Sequence, residues 1–244
     1  LDAVLDSGTP VVLTLLSGRP YALGRAADEA GAIVQTFFPG EEGAPAIAGV
    51  LSGRVNPSGR LPVSIPRSPG AQPSTYLASP LARAGRVSTI DPGAAFPFGA
   101  GIGFTTFAWE DLSADSSEIG TDGAVEMAVT VRNTGDRPGA DVVQLYLHDP
   151  VASVVRPVQR LIGYRRVQLD AGASVRLHVT VPAALASFTG PDRRRIVEPG
   201  ELVLGLGRSS EDIPLTHTVT LSGPVRELGF APPLHPDWSE TVVE

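Results

Sequence analysis

The sequence contains no cysteine and no lysine. Without cysteine the chain can form neither a disulfide framework nor a thiolate metal site, and cysteine usage says nothing about its redox compartment. All 19 basic residues are arginine, and 26 Asp and Glu residues outnumber them, which gives a net charge of −7. This balance argues against nucleic acid as a partner, because nucleic-acid binding needs a basic surface that neutralises phosphates.

Long apolar runs are also absent. No stretch approaches the roughly 18 residues that a membrane-spanning helix needs, and no charged region precedes a short apolar segment at the start. We therefore expect no membrane partner. The only methionine is Met127, and residues 1–5 read as the middle of an amphipathic helix. We expect that the natural protein begins upstream, which leaves a cytoplasmic or a secreted location open.

The first part of the chain predicts a β-α-β-α order. Pro10–Leu16 and Ala32–Phe38 are short apolar runs, typical of strands buried in a parallel sheet. Ala22–Ala30 has helix-forming composition, and Glu41–Leu51 carries apolar residues at helical spacing. This alternation indicates an α/β unit with a mainly parallel sheet. The side chains expected in its buried core are Val11, Leu13, Leu15, Ile33 and Val34.

The next stretch is harder to assign. Arg60–Ile65 could add a short strand near a sheet edge, because Pro62 cannot donate a ladder hydrogen bond. Residues 66–100 are rich in Pro, Gly, Ser and Ala and show no sustained period. We interpret them as a long ordered connection across the surface. A connection of this length is either functional or wrongly assigned.

From about Asp111 onward the pattern is strand-like alternation, separated by turn sequences such as Asn133–Asp136. It predicts an antiparallel β-sandwich of about seven strands, without a helix longer than two turns in residues 140–182. The predicted strands are 142–147, 161–169, 175–181, 201–206 and 216–221. The residues expected to meet between the sheets are Leu145, Leu161, Leu177, Val179 and Leu204. The expected divisions are 1–110 for the α/β part, 111–222 for the sandwich, and 223–244 for a tail or a strap over a neighbour.

Candidate chemical sites are few. Glu41 and Glu42 are adjacent carboxylates, which we interpret as acids at a helix N-terminus, where the helix dipole favours them. Gly99–Gly103 lacks the G-x-G-x-x-G spacing of a dinucleotide loop. The four histidines are scattered without metal-ligand spacing, so no metal or other cofactor is predicted.

Two features leave alternatives open. The sequence has no Gly-x-Ser-x-Gly elbow, although this does not exclude a Ser-His-Asp triad. Arg193–Arg195 predicts a solvated hairpin, with an anion site as the alternative.

Three segments resemble the C-terminal domain of family 3 glycoside hydrolases. They are Phe37–Gly43 with its proline-glycine-glutamate turn, Ala46–Gly53, and Val55–Val63 with its asparagine-proline-serine-glycine-arginine-leucine-proline sequence. Pro10–Pro20 and Phe96–Gly99 are also similar to this domain. Downstream, 133–136, 143–146, 156–164 and 185–188 resemble the fibronectin type III-like domain of many such enzymes. The resemblance covers roughly residues 1–222. The chain departs from the family pattern at Ala100, at Ile102–Phe104 and at Val87–Pro92.

The resemblance implies retaining hydrolysis by an aspartate nucleophile and a glutamic acid/base. In this family the nucleophile lies in an N-terminal barrel and the glutamate upstream of the strand matched by Pro10–Leu16. No catalytic residue is therefore assigned in this chain, and substrate-binding residues stay unknown. We expect a C-terminal fragment of an exo-acting β-glucosidase or β-xylosidase that is inactive alone and meets its sugar through the barrel. A homodimer is the candidate assembly. The alternatives are a non-catalytic carbohydrate or protein interaction module and an unrelated α/β hydrolase.

Overall fold

The computed structural model describes residues 1–72, 74–85, 89–229 and 231–243. Its first part contains three helices, α1 (Asp2–Leu5), α2 (Ala26–Glu29) and α3 (Gly43–Leu51), and two strands, β1 (Val12–Leu15) and β2 (Ala32–Gln35). Strands β1 and β2 pair in parallel, with Leu13 opposite Ile33. The predicted β-α-β-α order is therefore confirmed, although the first two helices are only four residues long.

The expectation of a buried core around this parallel sheet is wrong. Val11, Leu13, Leu15, Ile33 and Val34 are all half-buried, and neighbouring Val12 is 56 % exposed. The reason is the small size of the sheet. Two strands flanked by short helices cannot enclose both faces, whereas a parallel sheet normally has both faces covered.

Two short strands follow, β3 (Ile65–Pro66) and β4 (Ala94–Phe96), which pair antiparallel with a register shift. The strand expected at Arg60–Ile65 is thus reduced to its last residue. The connection from 66 to 100 is described except at 73 and 86–88, so Val87 and Ser88 of the atypical segment lie outside the described residues. It contains two 3-10 turns, Pro69–Ala71 and Pro80–Ala82.

The remaining chain is almost entirely β. Its strands are β5 (Phe107–Ala114), β6 (Glu118–Gly120), β7 (Ala124–Asn133), β8 (Gly139–His148), β9 (Arg160–Leu169), β10 (Ser174–Pro182), β11 (Phe188–Thr189), β12 (Arg195–Val197), β13 (Gly200–Gly207), β14 (Leu215–Ser222), β15 (Arg226–Glu227) and β16 (Asp237–Val243). One sheet has the order β16-β10-β7-β5 and the other β6-β14-β13-β8-β9. All pairs in these two sheets are antiparallel except β14 with β6. Strands β11, β12 and β15 form a small third sheet.

The core lies between the two large sheets. Leu145, Leu177, Val179 and Leu204 are at most 2 % exposed and belong to one cluster of buried apolar residues, as expected. The prediction for Leu161 is wrong, because Leu161 is half-buried and its neighbour Ile162 takes the core position. A register shift between Leu145 and Tyr146, opposite this end of β9, accompanies the difference. Within residues 140–182 the described structure contains strands and no helix, as expected.

The segment after residue 222 ends in strand β16, which pairs with β10 along the edge of a sandwich sheet. It also lies against the other sheet. A Cβ added at Gly163 of β9 would come within 2.5 Å of Pro236 Cγ, and Arg165 of β9 pairs with Glu240 of β16 at 2.6 Å. The segment expected to be a tail or a strap therefore spans both sheets at one side of the sandwich.

Candidate functional site

The first motif segment, Phe37–Gly43, forms a tight turn before α3. Gly40 has φ 72°, which glycine tolerates best. A Cβ at Gly43 would lie 2.5 Å from Pro39 Cγ, so the helix start packs directly on the proline. Glu41 and Glu42 precede this start and are exposed. Their position confirms the interpretation as acids at a helix N-terminus.

The third motif segment, Val55–Val63, joins the first part of the chain to the sandwich. Asn56 Nδ2 donates to the Pro138 carbonyl at 3.0 Å, and its Oδ1 accepts from the Phe104 amide at 2.7 Å. One side chain therefore links the loop before β5 to the turn before β8. Both contacts are long-range in sequence, so Asn56 acts as a clamp between distant segments.

Arg60 of the same motif makes a buried ion pair. Its Nη2 lies 2.6 Å from Asp141 Oδ1, with side-chain exposures of 13 % and 5 %. Asp141 also accepts from the Trp109 indole at 2.9 Å and from the Val142 amide at 2.8 Å. The pair therefore ties the motif loop to strands β5 and β8, and the hydrogen bonds satisfy the carboxylate in its desolvated place.

A third contact lies around Phe98 and Gly99. Gln144 Nε2 donates to the Gly99 carbonyl at 3.0 Å and to the Arg208 carbonyl at 2.7 Å. Its Oε1 accepts from the Tyr146 hydroxyl at 2.7 Å. Burial raises the pKa of Tyr146 above its usual range, so its hydroxyl stays a donor at neutral pH.

The long connection packs on this junction. Tyr76 stacks on Phe98 with ring centroids 4.1 Å apart, and its hydroxyl accepts from the Leu161 amide at 3.3 Å. The Val158 amide donates to the Ala78 carbonyl at 3.0 Å. The connection therefore follows the loop between β8 and β9, and this packing accounts for its order without a regular period.

Three acids among the described residues are not exposed, and all three are engaged by other groups. Asp141 pairs with Arg60, and Asp149 pairs with Arg156 at 3.0 Å. Burial raises the pKa of Asp149, while the positive charge of Arg156 opposes that rise. Glu198 accepts from the Ser153 amide at 3.0 Å. None of them therefore resembles a free catalytic acid.

The other sequence candidates are dispersed. In the part of the chain that the structure describes, no group of three or more His, Cys, Asp or Glu residues could hold a metal ion. His217 contacts the Ser116 carbonyl at 2.9 Å and His178 lies 3.5 Å from Glu126. Arg193 and Arg194 are exposed in the turn between β11 and β12, as predicted for a solvated hairpin. The prediction is wrong for Arg195, which is half-buried at the start of β12 and donates from Nε to Ser187 Oγ at 2.9 Å. The Gly99–Gly103 loop leads to strand β5 and not to a helix.

Sequence reasoning found Asn56 and Arg60 only as parts of a motif and did not identify Asp141, Gln144 or Tyr146 as their junction partners. For Asp141 and Gln144 the sequence of β8 gives a weak signal. A polar Asp and Gln lie within a strand where every residue from Val143 to Leu147 is buried, and buried polar groups need partners. The arrangement is suited to fixing one half of the chain against the other.

Comparison with known families agrees with this junction. A model of the glycosyl hydrolase family 3 C-terminal domain matches residues 1–104, and a model of a fibronectin type III-like domain matches residues 141–210. By its first 104 residues the chain belongs to glycosyl hydrolase family 3. The junction described above thus lies between the family 3 domain and the fibronectin type III-like domain.

Curated relatives support the same membership. The chain is 37 % identical over 220 residues to a periplasmic β-glucosidase of Salmonella typhimurium, a match covering 86 % of this chain and 29 % of the relative. It is 33 % identical over 214 residues to a β-xylosidase of Formosa agariphila, covering 86 % of this chain and 30 % of the relative. The family 3 chain therefore spans less than a third of the length of these relatives.

Solved structures share the fold. A β-glucosidase from Erythrobacter marinus superposes with a TM-score of 0.83 at 37 % identity, covering 91 % of this chain and 29 % of that chain. A β-glucosidase from Listeria innocua in complex with glucose gives a TM-score of 0.84 at 31 % identity, covering 91 % of this chain and 32 % of that chain. Among the described residues of this family 3 chain, no helix has the length and hydropathy to cross a bilayer.

Proposed function

We propose that this chain is the C-terminal portion of a retaining, exo-acting β-glycosidase that releases terminal β-D-glucosyl or β-D-xylosyl residues from oligosaccharides or glycosides. Support comes from the relatives, which are named as β-glucosidases and β-xylosidases, and from the family 3 domain itself. The proposal also states that the chain alone does not catalyse hydrolysis.

The proposal that the chain alone is inactive rests on the contacts of its buried and half-buried acids. Retaining hydrolysis needs two carboxyl groups about 5–5.5 Å apart, one as nucleophile and one as acid/base. Asp141 and Asp149 each form an ion pair with an arginine inside the structure, so neither carboxylate is free to act on a substrate. Glu41 and Glu42 are exposed at the start of α3. The proposal therefore assigns both catalytic carboxylates to a separate, upstream part of the protein.

The first domain offers a surface on which such a part could pack. Fourteen of the 21 exposed large apolar side chains that the structure describes lie in the first 104 residues. Phe38 at 82 % and Leu16 at 63 % exposure stand beside the small parallel sheet. Exposed apolar side chains concentrated in one domain make that domain the candidate contact region. In this proposal the domain completes the wall of the active site and braces the catalytic barrel.

The test is a complementation assay with nitrophenyl β-glucoside and β-xyloside. We expect no turnover from residues 1–244 and turnover after addition of the separately expressed upstream half. Phe38→Ser should raise the chain concentration needed for half-maximal activity, since it removes an exposed apolar contact and so weakens association. Val155→Ser, equally exposed at 77 % but in the sandwich, is the matched control.

Two outcomes would contradict the proposal. Turnover by the isolated chain that persists through repurification and disappears in Glu41→Gln or Glu42→Gln would make those acids catalytic. Binding of glucose or xylose by the isolated chain, with no activity in the mixture, would instead favour a non-catalytic carbohydrate module.

Sedimentation of the isolated chain would test the expected homodimer, which stays a prediction.

A further inference from the structure

A cavity of about 60 Å³ lies where β9, β12 and the segment before β16 meet. It exceeds the roughly 10–15 Å³ that one water requires. Its lining is apolar apart from two arginine side chains; the described lining residues are Arg160, Leu161, Ile162, Leu185, Arg195, Pro233 and Leu234. No carboxylate is among them.

Arg160 is incompletely satisfied at this place. Its Nη2 donates to the Leu185 carbonyl, but its Nε is buried and has no hydrogen-bond partner among the described residues. Arg195 Nε donates to Ser187 Oγ at 2.9 Å. A buried donor of a charged group without a partner is unusual, because such groups are normally paired.

The charges around Arg160 are mainly positive. Burial lowers the pKa of Arg160, and the positive charges of Arg156 and Arg195 lower it further, while only the Tyr76 phenol acts in the opposite direction. The nearby Asp149 is already held by Arg156 at 3.0 Å. Glu198 accepts from the Ser153 amide. Of these three arginines, Arg160 and Arg195 line the cavity, and neither forms an ion pair with a described carboxylate.

We propose that this cavity binds a small carboxylate anion free in solution, of the size of acetate or propionate. Guanidinium groups match the planar geometry of a carboxylate and bind it by charge-assisted hydrogen bonds. The leucine and proline walls accept a short alkyl group.

The test is calorimetric titration of the chain with formate, acetate, propionate and sulfate at constant pH and ionic strength. We expect acetate and propionate to bind with a Kd on the order of 1 mM, as befits a ligand of so few atoms. Arg160→Gln and Arg195→Gln should each weaken binding by at least about tenfold. Arg193→Gln removes an exposed charge from the same hairpin and should leave the affinity unchanged.

Leu234→Glu provides a variant that does not disturb the core, since Leu234 is 82 % exposed at the cavity. The introduced glutamate should repel the carboxylate ligand and weaken binding. This test remains available if Arg160→Gln does not fold. Absence of saturable binding by the unmodified chain would overturn the proposal. Equal affinity of the unmodified and the Leu234→Glu chains, or tighter binding of sulfate than of acetate, would overturn it as well.

Discussion

The buried pair of Arg60 and Asp141 allows the junction to be tested quantitatively. Arg60→Met removes the cation and leaves Asp141 fixed on strand β8 with a side chain only 5 % exposed. The carboxylate has little access to solvent, because Asp141 is only 3 % exposed and its oxygens are held by the Trp109 indole and the Val142 amide. Breaking a buried ion pair in this way costs about 3–5 kcal/mol. At about 2–4 °C per kcal/mol, the melting temperature should fall by roughly 6–20 °C.

Removing the carboxylate instead of the cation should reduce the free energy of unfolding by less. Asp141→Asn retains an oxygen that can accept from the Trp109 indole, and it leaves a long arginine side chain on a loop. Arginine can extend its charged head toward water. We therefore expect a loss of about 1–3 kcal/mol, the range for a lost hydrogen bond to a charged group. The double variant should be more stable than Arg60→Met alone, because it no longer buries an unpaired charge.

Urea unfolding followed by tryptophan fluorescence and by far-ultraviolet circular dichroism would measure these three free energies. Arg137→Met is the control, since Arg137 and Asp136 form an exposed pair, with exposures of 52 % and 83 %, that should contribute at most about 1 kcal/mol. Strictly additive losses in the double variant would refute the reasoning, because groups in direct contact should couple. A loss from Arg60→Met no larger than that of the control would refute it too.

Two further predictions concern the sandwich. Gly163→Ala should displace strand β16 and raise its susceptibility to limited proteolysis, because the new Cβ would come within 2.5 Å of Pro236 Cγ; unchanged cleavage would show that the contact relaxes freely. Burial raises the folded-state pKa of Tyr146 above its unfolded value, so the stability it contributes is present below pH 10 and is lost as the pH rises beyond that value. Tyr146→Phe should therefore flatten the alkaline decline in melting temperature, and an unaltered decline would contradict the assignment.

Most of the sandwich could be predicted from sequence because strand alternation is a local signal. The predicted strands at 142–147, 175–181, 201–206 and 216–221 each lie within an observed strand. Leu161 was placed in the core by the same alternation, but the register shift opposite the start of β9 changes which neighbour faces inward. Irregularities of this kind depend on the partner strand and leave no local trace.

Burial of the first domain could not be predicted in the same way. The apolar runs around β1 and β2 have the composition of strands covered on both faces, and the parallel pairing follows that prediction. Burial, however, depends on what packs against the sheet. Leu13 and Ile33 remain half-buried because only short helices lie beside a two-stranded sheet. The sequence pattern therefore predicts more burial for β1 and β2 than the described structure shows.

The partners within the junction are separated by long distances along the chain. Arg60 and Asp141 are 81 residues apart, and Asn56 and Pro138 are 82 apart. A single sequence carries no signal that pairs residues over such separations. The resemblance to family 3 identified the motif, but only the structure assigns its asparagine and arginine to contacts with the sandwich.

The glycines near residue 100 show why a nucleotide-loop pattern can arise without a nucleotide. A Cβ at Gly99 would come within 2.0 Å of Gln144 Oε1, and one at Gly101 would come within 2.4 Å of the Gly59 carbonyl. At Gly103 the nearest atom would be the Pro57 carbonyl at 2.9 Å. Alternate residues of this loop therefore lie against the Gln144 side chain or against the backbone of the third motif segment, Val55–Val63. Glycine is required at these positions because the chain segments approach each other closely. Gly99 reflects packing against the sandwich, whereas Gly101 and Gly103 reflect packing within the first domain.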